Sequence, residues 1–223
     1  MAVQFTRLGK EIVMAVKSGG PSPEANSRLR TAIQNAKAVN MPKDRVEAAI
    51  KRASNKDESN YEEIVYEGYA QHGVAILVET ATDNTNRTVA NVRSYFTKCG
   101  GTLGKTGSLD FIFNRKSVFR FDPGALDLDE LELELIDAGL EDLYVEEDAD
   151  GKDIGVIHTS FEDFGKMQKA LEEKSISVIS AKLERIALST SQITEEQAAD
   201  VLKLIDKLED DDDVQAVYHN MTE

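Results

Sequence analysis

Apolar residues recur at helical spacing three times between Phe5 and Ala53. Phe5, Leu8, Ile12 and Ala15 form one stripe, Leu29, Ile33 and Ala36 a second, and Val46, Ile50 and Ala53 a third. Each has the three-to-four-residue repeat of an amphipathic helix. Gly19-Gly20-Pro21 ends the first helix, because glycine frees the backbone and proline cannot continue a helix. Pro42 opens the third, its fixed φ suiting a first turn. Three helices of this size can share one small core. Ser54-Asn55-Lys56-Asp57-Glu58-Ser59-Asn60 is polar and unpatterned and reads as a linker.

Beyond the linker the period changes. A strand is predicted near Ile64 to Tyr66. A second follows in which Val74, Ile76, Val78 and Thr80 line one face and Ala75, Leu77, Glu79 and Ala81 the other. Asp83 or Asn84 then caps a helix whose buried stripe is Val89, Val92, Phe96 and Cys99. A glycine-rich connection leads to a predicted hairpin from Leu109 to Phe121, with Leu109, Phe111 and Phe113 inward and a turn at Asn114-Arg115-Lys116.

From Leu126 an acidic helix is striped by Leu128, Leu131, Leu135 and Ile136. Strands at Tyr144-Val145 and Ile154 to Ile157 flank the turn Asp148-Ala149-Asp150-Gly151. A helix through Phe164, Met167 and Leu171 and a strand from Ile176 to Leu183 follow. The closing helix carries Ala198, Val201, Leu202, Ile205 and Leu208, and the last strand runs from Val214 to Tyr218. If these two return to the first sheet, they complete a strand-helix-strand-strand-helix-strand set. The expected class is α+β: a three-helix domain over 1–56, a discontinuous domain over 57–123 plus 187–223, and an acidic α+β domain over 124–186 inserted in it. The last two are expected to be small α/β-sandwich, ferredoxin-like units.

Charge sharpens this division. The chain of 223 residues has a net charge of −15, yet residues 1–56 hold eleven Lys or Arg against four Asp or Glu, a net of +7, and the remainder a net of −22. Such asymmetry points to a nucleic-acid-binding end and an acidic remainder that limits non-specific adhesion. The candidate nucleic-acid-binding residues are Arg7, Lys10, Lys17, Arg28, Arg30, Lys37, Lys43, Arg45, Lys51 and Arg52. Arg45 and Arg52, two turns apart, flank one side of the third helix. The helical domain has no aromatic platform for base stacking. Arg87, Asn91, Ser94 and Lys98 share the polar face of a later helix; Arg87, Asn91 and Lys98 are candidates for contact with an RNA or protein partner, against a plain solvated face.

Other chemical signals are weaker. Gly100-Gly101-Thr102-Leu103-Gly104-Lys105-Thr106 invites a phosphate-loop reading, but the first required glycine would fall at Cys99, and the loop follows a helix where the motif needs a strand. Asp83, Asn84 and Arg87 fit a helix start better than an active site. His72, His158 and His219 lack metal-ligand spacing, and no nucleophile motif is present. Cys99, the single cysteine, reads as a buried thiol on an apolar stripe. The run Glu209 to Asp213 reads as a solvated helix exit, because acids there oppose the macrodipole. No catalytic residue, metal site or cofactor is predicted. No stretch has the apolar length of a membrane span, and the start lacks a signal-peptide pattern, so a cytoplasmic protein is expected.

Several ordered matches resemble the YebC/PmpR family in register: Tyr66-Glu67-Gly68-Tyr69, Gly73-Val74-Ala75, Thr82-Asp83-Asn84, Asn86-Arg87-Thr88, Val92-Arg93, Gly100-Gly101, Leu103-Gly104 and Gly107-Ser108. Pro23-Glu24-Ala25-Asn26, Asn40-Met41-Pro42-Lys43, Glu209-Asp210-Asp211-Asp212-Asp213-Val214 and Val217-Tyr218-His219-Asn220 extend the resemblance over nearly the whole chain. It implies a cytoplasmic, non-enzymatic regulator of gene expression. Members are described as DNA-binding transcriptional regulators, as ribosome-associated translation factors that relieve stalling, or as mitochondrial translational activators. Family members usually carry a basic leader before the first helix, whereas this sequence starts at Met1-Ala2-Val3, so any contact made by the leader is not carried over. At Ala70-Gln71-His72-Gly73 the family more often has a Gly-Pro-Gly-Gly turn, a departure that alters the turn.

The resulting expectation is a regulator that contacts DNA or ribosomal RNA through its basic helices, with a possible ribosomal or other protein partner on the acidic domains and no membrane. A translation factor touching ribosomal RNA is the alternative, and a protein-binding scaffold a lesser one.

Overall fold

The computed structural model describes residues 2–55 and 60–222. Residues 56–59 of the expected linker lie outside the described residues. Two compact units emerge: one of residues 1–32, 41–114 and 186–223, the other of residues 33–40 and 115–185. The α+β class holds, with helices at the N-terminus followed by sheets.

The first unit opens with α1 (Ala2–Gly19), α2 (Ser27–Ala38), whose first half belongs here, and α3 (Lys43–Ala53). Leu8, Ile12, Ala15, Leu29, Val46, Ala49 and Ala53 are buried, while Phe5 and Ile50 are half-buried at the margin. Gly20 ends α1 at φ 87°, and its N–H donates to the Val16 carbonyl at 2.7 Å, a left-handed exit that suits glycine. Asn26 then joins the helices. Its amide donates to the carbonyls of Ala15 (2.7 Å) and Gly20 (2.8 Å), and its carbonyl oxygen accepts the Leu29 N–H at the start of α2.

The sheet of this unit contains β1 (Glu62–Tyr69), β2 (Ala75–Thr82), β3 (Thr102–Leu103) and, after the second unit, β9 (Val214–His219), ordered β3-β1-β2-β9. The last strand does return, pairing antiparallel with β2. Both faces of β2 are covered. Ile76 and Val78 pack with Val92 and Phe96 of α4 (Thr85–Lys98) and Val201, Leu204 and Leu208 of α7 (Glu195–Glu209); Ala75 and Leu77 pack with Leu109, Ile112 and Phe113. Asn84 caps α4 by accepting the Arg87 N–H, and Thr194 with Gln197 forms a capping box on α7. Gly68 is required by close packing, since a Cβ there would sit 2.5 Å from the Thr102 carbonyl and 2.7 Å from the Phe96 ring. A short parallel pair, β8 (Ser191–Gln192) with β10 (Met221–Thr222), lies beside Asn220, whose side chain accepts the Ala75 N–H.

The predicted hairpin at Leu109 to Phe121 is not formed. Ile112 and Phe113 both donate their N–H groups to the Leu109 carbonyl, at 2.9 and 3.2 Å, which makes a helical turn. Leu109, Ile112 and Phe113 are buried at that spacing and Phe111 is 70% exposed. The chain then runs as one strand, β4 (Phe113–Phe121), which pairs with β6 (Asp153–Ser160).

The second unit adds α5 (Leu128–Leu135), β5 (Leu140–Glu147), α6 (Phe164–Glu173) and β7 (Val178–Ala187), with strand order β5-β6-β4-β7. The strand-helix-strand-strand-helix-strand succession predicted for the discontinuous domain therefore occurs here, in the ferredoxin-like arrangement. In the first unit β1 and β2 form a hairpin joined only by a short 3₁₀ turn, Gln71–Gly73, so no α-helix separates them. Phe119, Phe121, Leu131, Leu135, Ile157, Met167 and Leu171 form the core; Ile136, expected on the α5 stripe, is 57% exposed because the helix ends before it. At the outer edge of β7, Asn35 from the second half of α2 donates to the Ala181 carbonyl (2.9 Å) and accepts its N–H (3.0 Å), and Gln34 donates to the Val178 carbonyl. These amides supply hydrogen bonds that a neighbouring strand would otherwise make. No helix among the described residues is long and apolar enough to cross a membrane.

Candidate nucleic-acid interface

The ten basic candidates fall into three groups. On α3, Lys43, Arg45, Lys51 and Arg52 are all exposed. Lys43 lies 3.5 Å from Glu47 one turn on, a spacing that adds little in water. Arg45 lies over the Phe5 ring at 5.5 Å, which steadies its stem while its charge stays at the surface. Lys51 has no ion pair among the described residues.

The second group is exposed but tethered. Lys17 donates to the Asn60 side chain at 2.9 Å, Arg28 pairs with Glu63 at 3.0 Å, and Arg30 reaches the Pro23 carbonyl at 3.3 Å. Lys17 and Arg28 line one shallow cleft with Tyr61 and Glu63. Lys37, in the part of α2 that belongs to the second unit, is exposed.

The third group is turned inward. Lys10 is only 7% exposed. Its ammonium donates to the Asp213 carboxylate (3.0 Å) and to the carbonyls of Ala81 (2.9 Å) and Asp212 (2.6 Å), which occupies all three of its hydrogens. Arg7 donates from Nε to the Val214 carbonyl (2.9 Å) and from a terminal nitrogen to the Glu209 carbonyl (2.8 Å). Lys10 thus has no hydrogen left for a phosphate, and Arg7 is committed to the backbone where α7 gives way to β9.

Asp213 is the centre of this arrangement. Besides Lys10, its carboxylate accepts from Arg87 (2.7 and 3.2 Å), Thr88 (2.8 Å) and Thr82 (3.1 Å). Burial alone would raise its pKa. The hydrogen bonds from Arg87, Lys10 and Thr88 outweigh burial and hold it at about 2. Arg87 also donates to Asp83 at 3.0 Å. Of the α4 polar face, then, Arg87 and Asn91 are drawn onto the acidic turn, Asn91 donating to Asp211 at 3.2 Å, while Lys98 is exposed. Tyr95 also donates to Asp211, and burial together with this bond pushes its phenol up to about 12.

The acidic run is therefore a solvated helix exit only in part: Glu209, Asp210 and Asp212 are exposed, whereas Asp211 and Asp213 are drawn into the protein. Asp213 is 5% exposed and Asp211 accepts from its N–H. The macrodipole argument fails because the opposing charge is answered by Arg7 and Lys10 of α1, contributed from more than two hundred residues away. No local spacing signals such a pairing. The only sequence trace is that Lys10 falls close to the apolar stripe between Leu8 and Ile12.

A second internal carboxylate organises the glycine-rich segment. Glu67, 3% exposed, accepts the N–H groups of Gly107 (2.8 Å) and Leu109 (2.6 Å), and its own carbonyl accepts the Gly104 N–H (2.7 Å). Backbone amides that a phosphate-cradling loop would aim at a ligand are here engaged by the protein. Cys99 is half-buried at the end of α4. Among the described residues no cluster of His, Cys, Asp or Glu is placed to hold a metal ion.

The whole chain finds close relatives. It is 63% identical over all 223 residues to a probable transcriptional regulatory protein of Cytophaga hutchinsonii, covering 92% of that protein. It is 55% identical over 99% of its length to one of Anaeromyxobacter dehalogenans, again covering 92%. A crystal structure of the conserved hypothetical protein Aq1575 from Aquifex aeolicus superimposes with a TM-score of 0.82 at 39% identity, over 99% of this chain and 90% of that one. The model of the TACO1/YebC N-terminal domain matches residues 1–56, and that of the TACO1/YebC second and third domain matches residues 61–221. With helices, both sheets and the Glu67 and Asp213 segments all inside those matches, the chain belongs to the TACO1/YebC family.

Proposed function

We propose that the protein regulates gene expression by binding the phosphate backbone of a nucleic acid in the cytoplasm, with Lys43, Arg45, Lys51 and Arg52 of α3 as the primary contacts. The observation that carries this reading is the exposure of these four cations on one short helix, in a region of net +7 within an acidic chain. Lys17, Arg28 and Arg30 add to the field at the surface of the first unit, Lys37 is an exposed cation of the second, and Lys10 and Arg7 do not take part. The names of the relatives favour a transcriptional role. The acidic remainder suits a protein partner or limits adhesion. The engaged amides of the 104–109 segment favour a binding protein over a nucleotide-handling enzyme.

A salt titration tests the reading. Replacing Arg45, Lys51 and Arg52 with Ala should weaken binding to a mixed-sequence DNA duplex and lower the log–log salt slope by roughly 0.9 for each lost phosphate contact. Unchanged affinity and slope in the folded variant would reject it.

A second reading has its own support. The exposed face of α3 mixes Lys and Arg with Asp44 and Glu47 and contains no Asn or Gln, so it lacks the side chains that pair with adenine, and its cations suit a shaped phosphate backbone. That favours ribosomal RNA and a role in translation. Ribosome profiling of a deletion strain separates the two. Sequence-dependent pauses support the translation reading, and altered messenger levels at bound promoters without pauses support the DNA reading.

A further inference from the structure

We propose that Asp213 is the positioning residue of the basic interface: it fastens α1 to the α7–β9 turn, and α1 in turn holds α3 so that its exposed cations meet phosphates as an ordered set. The proposal rests on the nucleic-acid reading above and assigns a role to a residue that touches no ligand.

The geometry forms a chain of contacts within the first unit. Asp213 holds Lys10 of α1 through Oδ1 and Arg87, Thr88 and Thr82 through Oδ2. Its backbone carbonyl accepts the Ala81 N–H at 2.8 Å, so the carboxylate is fixed to the end of β2. Beside it, Arg7 grips the Glu209 and Val214 carbonyls, and Gln215 donates to the Arg7 carbonyl at 3.1 Å. Helix α1 packs on α3, and Phe5 of α1 lies beneath Arg45 of α3. The direction in which Arg45, Lys51 and Arg52 point is inherited from α1. A buried lysine deprived of its only carboxylate must find water. The obvious route is for the polar side of α1 to lift from the sheet, and α3 moves with it. Cations held in a fixed array engage several phosphates without further ordering cost, and a loosened array loses that advantage.

The charge of the variant makes the idea discriminating. Asp213→Asn removes a negative charge and no surface cation. Electrostatics alone predicts equal or tighter binding, whereas positioning predicts weaker binding. Affinities are measured by anisotropy on a mixed-sequence DNA duplex and a ribosomal RNA hairpin across a salt series. The active fraction is determined by titration, so that unfolded protein changes amplitude and not slope.

For Asp213→Asn we expect about tenfold weaker binding, a salt slope lowered by roughly one phosphate contact, and faster amide hydrogen exchange in α1 and α3. Thr88→Val leaves every charge in place and should give a smaller drop in the same direction, which keeps the test available if Asp213→Asn does not fold. Wild-type slope and affinity in folded Asp213→Asn, or, where it does not fold, in Thr88→Val, would overturn the proposal. Absence of salt-dependent binding by the wild type would instead remove the nucleic-acid reading, and the positioning role with it.

Discussion

Helices α1 and α3 share a small core, yet the cations in the first half of α1 turn inward while those of α3 turn outward. Arg7 and Lys10 of α1 face the end of α7 and the start of β9, where carbonyls and Asp213 gather negative charge, and both are committed there. Lys43, Arg45, Lys51 and Arg52 of α3 face solvent. Residue type does not distinguish the two sets; what lies opposite them does. A count of Lys and Arg over residues 1–56 therefore overstates the interface, because part of the surplus neutralises an acidic turn in the same unit. The acidity of the C-terminal run is overstated for the same reason.

The comparison predicts that matched substitutions have different effects. Lys10→Met should lower unfolding free energy by about 3 kcal/mol, since it leaves Asp213 buried with one cation fewer. Lys51→Met should change it by less than about 0.5 kcal/mol. Urea unfolding of the two variants beside wild type measures both. Equal effects would erase the distinction between an inward and an outward helix.

Acid should act on the inward set through Asp213. The Asp213 pKa is lowered to about 2 in the folded state, below the ordinary aspartate value, so its stabilisation is fully present above about pH 4. It is lost as pH falls from there through about 2. Roughly 2 kcal/mol should disappear in that window for wild type. The corresponding component should be missing in Asp213→Asn, so the stability gap between the two narrows as the pH falls. A constant gap would mean that Asp213 is not the group whose ionisation is coupled to folding.

Much of this fold was legible because the signals were local. Three helical stripes, the two-faced β2, a cap at Asp83 or Asn84, which proves to be Asn84, and the Asp148–Gly151 turn all follow from short-range spacing, and each is found. The segment 109–113 misled because Leu109, Phe111 and Phe113 alternate while Leu109, Ile112 and Phe113 also fit a helical turn. Over so few residues the two periods are indistinguishable, and the buried face of β2 decides between them. The placement of Lys10 was illegible for a different reason. Its partner lies 203 positions away, and a lysine beside an apolar stripe has the same pattern whether its head reaches water or a buried carboxylate. Glu67 is comparable: one acid in a strand gives no sign that it will collect two backbone amides from a loop 40 residues on.

The smallest expected effects separate geometry from charge. Arg7 reaches two carbonyls at once, from Nε to Val214 and from a terminal nitrogen to Glu209, and a lysine head cannot reproduce that fork. Arg7→Lys keeps the charge at the C-terminal end of α7 but should cost about 1 kcal/mol of stability, close to the net worth of one hydrogen bond. On α3 the same exchange tests the opposite expectation. If Arg45 and Arg52 meet phosphates as exposed positive charges, Arg45→Lys and Arg52→Lys should leave the salt slope unchanged, because the number of neutralised phosphates is the same. Their unfolding free energy should shift by no more than about 0.5 kcal/mol. Thermal unfolding of the three variants and salt titration of the two on α3 provide the check. A marked loss of affinity in Arg52→Lys would show that its guanidinium makes a directed, bidentate contact, and α3 would then have to be regarded as reading its target rather than only holding it.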